Sequence, residues 1–181
     1  MSDTTDHAFD RHWHLATTDH EIALTELEFA LFRSFEAFHR WQAEGIATVT
    51  GLDLSGTDNA ILNIIRMRDR SKSIKEIAML FNRDDMPNLQ YTIRKLTKHG
   101  LIEKEGPGQQ RKGARYQITA KGLKVLDDYV KIRRSVLVNF SKGMGADFVQ
   151  ATRTLELMSG IYDQAARIAA THRGQIHDSD D

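Results

Sequence analysis

The sequence predicts a mainly α-helical fold with one small β-hairpin set between long N- and C-terminal helices. Three observations carry this. Apolar residues recur every three or four positions over long stretches. Only two prolines, Pro87 and Pro107, interrupt the 181 residues, so long helices are permitted. Two short alternating segments, 101–105 and 114–119, flank a glycine-rich basic loop, the pattern of a hairpin. The length allows one domain with extensions and a sizeable core.

Residues 1–18 read as a tail containing His7, His12 and His14, with little apolar content. From Asp19 to Glu44 an apolar stripe of Leu24, Leu27, Leu31, Phe35, Phe38 and Trp41 marks a helix, which Phe29 and Phe32 widen. A helix this aromatic is expected to bury more than one face, against a partner chain. Gly45 to Leu54 breaks the pattern, so residues 19–50 form the N-terminal unit. Ser55-Gly-Thr-Asp58 is a capping box opening a helix over 55–69, with Ala60, Ile61, Ile64, Ile65 and Arg68 at helical spacing. Ser73-Ile-Lys-Glu76 is a second capping box, starting a short helix with Ile74, Ile77, Ala78 and Phe81 on its core side. Asn82-Arg-Asp-Asp85 is a turn, and one of its aspartates caps the next helix. Pro87 sits in that helix's first turn, Leu89, Ile93 and Leu96 form its buried stripe, and Gly100 stops it. After the hairpin, Thr119 caps a helix running to about Phe140, Gly143-Met-Gly145 turns, and a last helix covers 146–171. Residues 174–181 are an acidic tail.

The formal net charge is zero, from 25 basic and 25 acidic residues. That zero is a cancellation. Residues 66–134 hold 18 Lys/Arg and 8 Asp/Glu, a net of +10, and the remainder carries −10. A basic block in an acidic frame points to an anionic partner. The absence of Cys excludes disulfides, thiolate metal sites and thiol redox sensing. No apolar run approaches the roughly 20 residues that span a bilayer. Met1 to Asp10 is polar and acidic, unlike a signal peptide, so a cytoplasmic location is expected.

The order of three helices, strand, basic loop and strand over 51–119 is that of a winged helix-turn-helix. With Leu89 at the core centre of the third helix, Pro87, Tyr91, Arg94 and Lys98 point outward, flanked by Asn88, Gln90 and Lys95. Asn and Gln near the N-terminal end can bond adenine edges, and Arg reads guanine or grips phosphate, so this face suits a major groove of double-stranded DNA. The wing adds Arg111, Lys112 and Arg115, within reach of a minor groove or the backbone.

These segments resemble the MarR family of bacterial regulators. The resemblance is carried by Leu54-Ser-Gly-Thr-Asp58, Ser73-Ile-Lys-Glu-Ile-Ala78, Leu96-Thr-Lys-His-Gly-Leu-Ile102 and Gln117-Ile-Thr-Ala-Lys-Gly122, and it spans about 54–122. The resemblance implies that the flanking helices, 19–50 and 120–173, are dimerisation elements. It also implies a homodimer, typically a repressor, that presents two recognition helices to a pseudo-palindromic operator. It further implies a small aromatic or phenolic effector between the dimerisation helices and the winged domain, in a crevice that Phe29, Phe32, Phe35, Trp41 and parts of the helix over 55–69 would line. Two departures stand out. The recognition helix opens Met86-Pro-Asn-Leu-Gln-Tyr91 where the family usually has Ser and Thr. The wing has Gln110-Arg111-Lys112 in place of the usual Asp-x-Arg.

Other readings compete. The His-x-His at His12 and His14, with His7, His20 and His39, could bind zinc or nickel and make a metal-responsive regulator, but the spacing fits no closed site, and neither metal nor cofactor is expected. A winged helix used only for protein docking is the other alternative. No phosphate loop, Gly-x-Ser-x-Gly or zinc-protease motif is present, so no catalytic residue is expected.

Overall fold

A computed structural model describes residues 14–106 and 113–173. The chain divides into two compact units, Met1–Arg133 and Arg134–Asp181. In the first, α1 (Asp19–Thr50) is followed by α2 (Gly56–Arg66), β1 (Lys72–Ser73), α3 (Ile74–Leu80), α4 (Met86–Lys98), β2 (Ile102–Lys104), β3 (Arg115–Ile118) and α5 (Ala120–Arg133). The second unit opens with a π-helical turn, Arg134–Val138, and contains α6 (Gly145–Thr171). No described helix is long and apolar enough to cross a membrane.

Helix boundaries follow local chemistry. Thr18 and Glu21, Ser55 and Asp58, and Ser73 and Glu76 each close a reciprocal capping box at the start of α1, α2 and α3. The first of these had not been read from the sequence. Asp85 is the N-cap of α4, accepting from the Asn88 N–H. Gly100 ends α4 in the left-handed region at φ 69°, where the Leu101 N–H returns to the Leu96 carbonyl at 3.0 Å.

Three boundaries differ from the sequence expectation. First, α1 does not break at Gly45 but runs to Thr50, and the glycine that stops it is Gly51, at φ 63°. Gly45 is a packing glycine: a Cβ there would lie 2.7 Å from Cε2 of Tyr129 on α5. Second, α2 ends at Arg66 instead of continuing to 69. Met67–Asp69 form a tight turn in which Arg68 and Asp69 have φ of 63° and 47°, so Arg68 does not continue the helical stripe. Third, the sheet has three strands, antiparallel in the order β1-β3-β2. Lys72 pairs with Tyr116, and Ile102 with Ile118. A two-residue strand is too short to show alternation, which hides β1 from the sequence.

The core joins Ile61, Leu62 and Ile65 of α2, Ile77 of α3, Leu89, Ile93 and Leu96 of α4, Ile102 and Tyr116 of the sheet, and Val125 and Leu126 of α5, with Ile46 of α1 behind them. The expected inward stripe of α4 is therefore inward. Gly122 lets α5 cross close to the sheet, because a Cβ there would fall within the van der Waals shell of the Leu101 carbonyl oxygen.

Gly122→Ala is expected to lower stability by about 1–3 kcal/mol through overpacking against backbone. Gly145→Ala, whose Cβ would meet nothing within 4 Å, is the control. Thermal denaturation of the two variants makes the comparison, and equal melting temperatures would refute the close approach.

Candidate nucleic-acid interface

Helix α4 carries the candidate reading face, and its setting is built from α2. The Ser55 N–H donates to Asp58 Oδ2 at 2.8 Å, and the same oxygen receives Lys95 Nζ at 2.8 Å. The Asp58 side chain is only 3% exposed, so this ion pair lies under α4 and not on its outer face. Lys95 was expected to flank the DNA face. The structure places its ammonium on Asp58, where it holds α4 to α2. A charge buried on one helix needs a partner, and position 95 is where α4 can supply it.

With α4 set this way, Pro87, Asn88, Gln90, Tyr91, Arg94 and Lys98 are all exposed. Tyr91 presents its ring at 60% exposure. Asn88 is not free: its side-chain amide donates to Asp85 Oδ2 and holds the Asp85 carboxyl below its usual range. Gln90, Arg94 and Lys98 have no hydrogen-bond or ion-pair partner among the described residues.

The stem of the wing is a second cluster. Arg115 was expected to contact DNA. Its guanidinium instead bonds the Ser71 carbonyl at 2.5 Å and Ser71 Oγ at 3.1 Å, and it pairs with Glu76 at 2.9 Å and Glu105 at 3.7 Å. Glu76 also takes Arg70 at 2.7 Å. Arg115 thus braces the stem of the wing. Arg111 and Lys112, the other two wing residues expected at DNA, lie outside the described residues. The Glu76 carboxyl is lowered from 4.5 to about 2, chiefly by the Ser73 backbone N–H and then by Arg70, with Arg115 adding to them.

Lys72, which sequence reasoning missed, is the most unexpected side chain. It is 0% exposed, and its ammonium donates to the carbonyls of Ile65 at 3.0 Å, Arg70 at 3.1 Å, and Met67. Its position directly before the Ser73 capping box, where a strand residue facing the core would normally be apolar, is the one available signal.

The expected effector residues do not form one site. Phe32 and Phe35 stand outward on α1, 73% and 62% exposed. Phe32 borders an open groove of about 600 Å³ with Arg33, Ala37 and Arg40, and Phe35 does not line it. Trp41 lies on another side of α1, tilted against Tyr129 with ring centroids 6.4 Å apart. Among the described residues no group of three His, Asp or Glu is placed to hold a metal ion, and His7 and His12 lie outside them.

Comparison with known proteins agrees with this geometry. Residues 54–122 match the family model of the winged helix DNA-binding domain. Over these residues the chain has the winged helix fold. Among solved structures, a MarR family regulator from Neisseria meningitidis aligns at TM-score 0.63 with 15% identity, covering 81% of this chain and 98% of that one. The regulator BldR from Sulfolobus solfataricus aligns at TM-score 0.57 with 16% identity over 83% and 99%. The oxidised form of MarR from E. coli aligns at 0.53 with 17% identity over 74% and 93%. No curated protein matches the sequence.

Because the Glu76 carboxyl is depressed, the stability it contributes is fully present above its ordinary value of 4.5 and is lost as pH falls through about 2. Glu76→Gln is therefore expected to melt below wild type at neutral pH, with the gap closing as pH drops from 4.5 towards 2. A gap independent of pH would show that the carboxylate charge is not what braces the wing stem.

Proposed function

We propose that the protein is a transcriptional regulator that binds a pseudo-palindromic double-stranded DNA operator as a homodimer. Its α4 helices would enter successive major grooves, and its wings would grip the adjacent backbone. The observation that carries this reading is the uncommitted outer face of α4, with Gln90, Tyr91, Arg94 and Lys98 exposed together on a helix whose other polar contacts are satisfied inside the domain. Gln90 and Arg94, one helical turn apart, supply an adenine reader and a guanine reader on the same edge of the helix. Asn88, tied to Asp85, is left a supporting role, and Lys95 and Arg115 drop out as DNA contacts. Arg111 and Lys112 remain the wing's candidate contacts.

Homodimerisation is supported by apolar surface that a lone chain leaves open. On α1, Phe29, Phe32, Phe35 and Phe38 are between 46% and 73% exposed. On α6, Leu157 is 71% and Ile161 57% exposed. Exposure on this scale marks an interaction face. Two recognition helices related by the dimer axis would meet half-sites about one turn, roughly 10 bp, apart. A small aromatic or phenolic effector at the Phe32 groove, with Phe35 exposed nearby on α1, would act by preferring one spacing of the two α4 helices.

In a salt series, affinity for a duplex selected from a random pool is expected to fall on the order of a thousandfold between 50 and 200 mM, as several phosphate contacts require. Arg94→Ala should cost about 1–3 kcal/mol and relax base preference at one position, while Arg111→Ala should weaken all duplexes about equally. Lys95→Ala should lower the melting temperature and, by loosening the seat of α4, weaken binding to every duplex without switching the preferred base at any one position. A flat salt dependence, or a change of preference from Lys95→Ala with none from Arg94→Ala, would overturn this assignment of the face. A phenolic panel that produces no thermal shift with wild type, or the same shift with Phe32→Ala and Phe35→Ala, would remove the effector site.

A further inference from the structure

Lys72 sits in the two-residue strand β1 with no exposed surface. A buried ammonium must find acceptors, and here they are three backbone carbonyls. That of Ile65 belongs to the last turn of α2, and those of Met67 and Arg70 to the connector leading into β1. The connector is bent tightly enough that Arg68 and Asp69 both take left-handed backbone conformations, which L-residues resist. The bend aims its carbonyls inward at the one cation that can use them.

The other end of this connector is bolted to the wing. Ser71 Oγ donates to Glu105 at 2.8 Å, and Arg115 donates to the Ser71 carbonyl. Glu76, three residues past the Ser73 cap, takes both Arg70 and Arg115. Glu105 and Arg115 are the two stem positions of the wing, joined by a backbone bond of 2.9 Å. Lys72 itself pairs with Tyr116, next to Arg115. The ammonium therefore lies where the end of α2 meets the base of the wing. Burial, and after it the charge of Arg70, holds the Lys72 pKa below the ordinary lysine value, as expected for a cation taken out of water.

We propose that Lys72 is a positioning residue that ties the end of α2 to the wing stem, so that the wing's phosphate contacts depend on an ammonium that never touches DNA. The inference rests on the DNA reading given above. An apolar residue would fill the same space but leave three carbonyls without a donor. The connector would relax, and the wing would lose its fixed angle to α4. Base reading by Gln90 and Arg94 would survive, because α4 is held separately through Lys95 and Asp58.

The test uses the full chain and a duplex that wild type selects from a random pool, with affinity measured across a salt series. Lys72→Met is expected to bind about tenfold more weakly, with a salt slope shallower by one or two contacts at about 0.9 each, and to select the same bases under α4. The chain has no cysteine, so Lys72→Cys can be alkylated at that one site while unfolded and then refolded. Bromoethylamine restores an ammonium at nearly lysine's length, and should restore both affinity and slope. Iodoacetamide adds a neutral amide, and should restore neither. To keep a folded variant in hand, Lys72→Met is also combined with Arg68→Gly and Asp69→Gly, which relieve the left-handed strain. Regained melting temperature with the slope still shallow supports the proposal. Stability and slope regained together overturn it, as does a wild-type slope in the methionine or amide-capped proteins, or a bromoethylamine product as weak as the iodoacetamide one. A wild-type protein with no salt-dependent affinity for any duplex would remove the DNA reading, and the inference with it.

Discussion

The placement of α4 depends on one buried carboxylate. Asp58 closes the capping box of α2 and, through the same oxygen, holds Lys95 of α4. Those two bonds set the rotation of α4 about its own axis, which decides which side chains reach outward. The apolar stripe of Leu89, Ile93 and Leu96 would by itself tolerate some roll, since hydrophobic contact is not directional. An ion pair at one edge of that stripe removes the freedom. A helix that reads bases must be held to within a fraction of an ångström, so a directional contact at its inner edge serves recognition as much as stability.

The wing is anchored by separate chemistry. Its stem is gathered on Glu76, which belongs to α3 and accepts from Arg70 before the strand and Arg115 after the wing. The first helix of the helix-turn-helix, the wing and the connector from α2 thus share one carboxylate. Recognition helix and wing meet the body of the domain through different residues, Asp58 with Lys95 in one case and Glu76 with Arg115 in the other. The two polar anchors can therefore be removed one at a time, while α4 and the sheet go on sharing one apolar core.

Much of this was legible in the sequence, and the misses have physical reasons. Capping boxes at Ser55 and Ser73, the Asp85 cap and the Gly100 stop could be read because each is a local rule with a residue type at a fixed offset. Gly45 misled because a glycine in an amphipathic pattern serves equally as a stop or as a gap for a neighbouring ring. Only the position of Tyr129, more than eighty residues later, tells these apart. Lys95 and Arg115 were assigned to DNA because angular position on a helix and membership of a wing cannot reveal a carboxylate brought there by tertiary structure. Both proved to be paired inside the domain. Lys72 was invisible for the converse reason. Lysine is the residue least expected in a core, and its acceptors are backbone carbonyls that leave no mark on composition.

The charge map changes meaning accordingly. Counted along the sequence, residues 66–134 carry a net of +10, which suggests a broad attraction for phosphate. The structure divides that charge into two populations. Arg70, Lys95, Arg115 and Lys131 each face a carboxylate at 2.7 to 2.9 Å, and Lys72 is enclosed by carbonyls. These cations release few counterions on binding, because their fields are already answered within the protein. Arg94 and Lys98 are exposed on the face of α4 and have no such partner among the described residues. The affinity that salt can screen away depends on charges of this second kind, so it is set by fewer residues than the sequence total implies. Lys95, Arg70 and Arg115 act one step earlier: they fix the helix and the wing stem from which the exposed cations would reach the backbone.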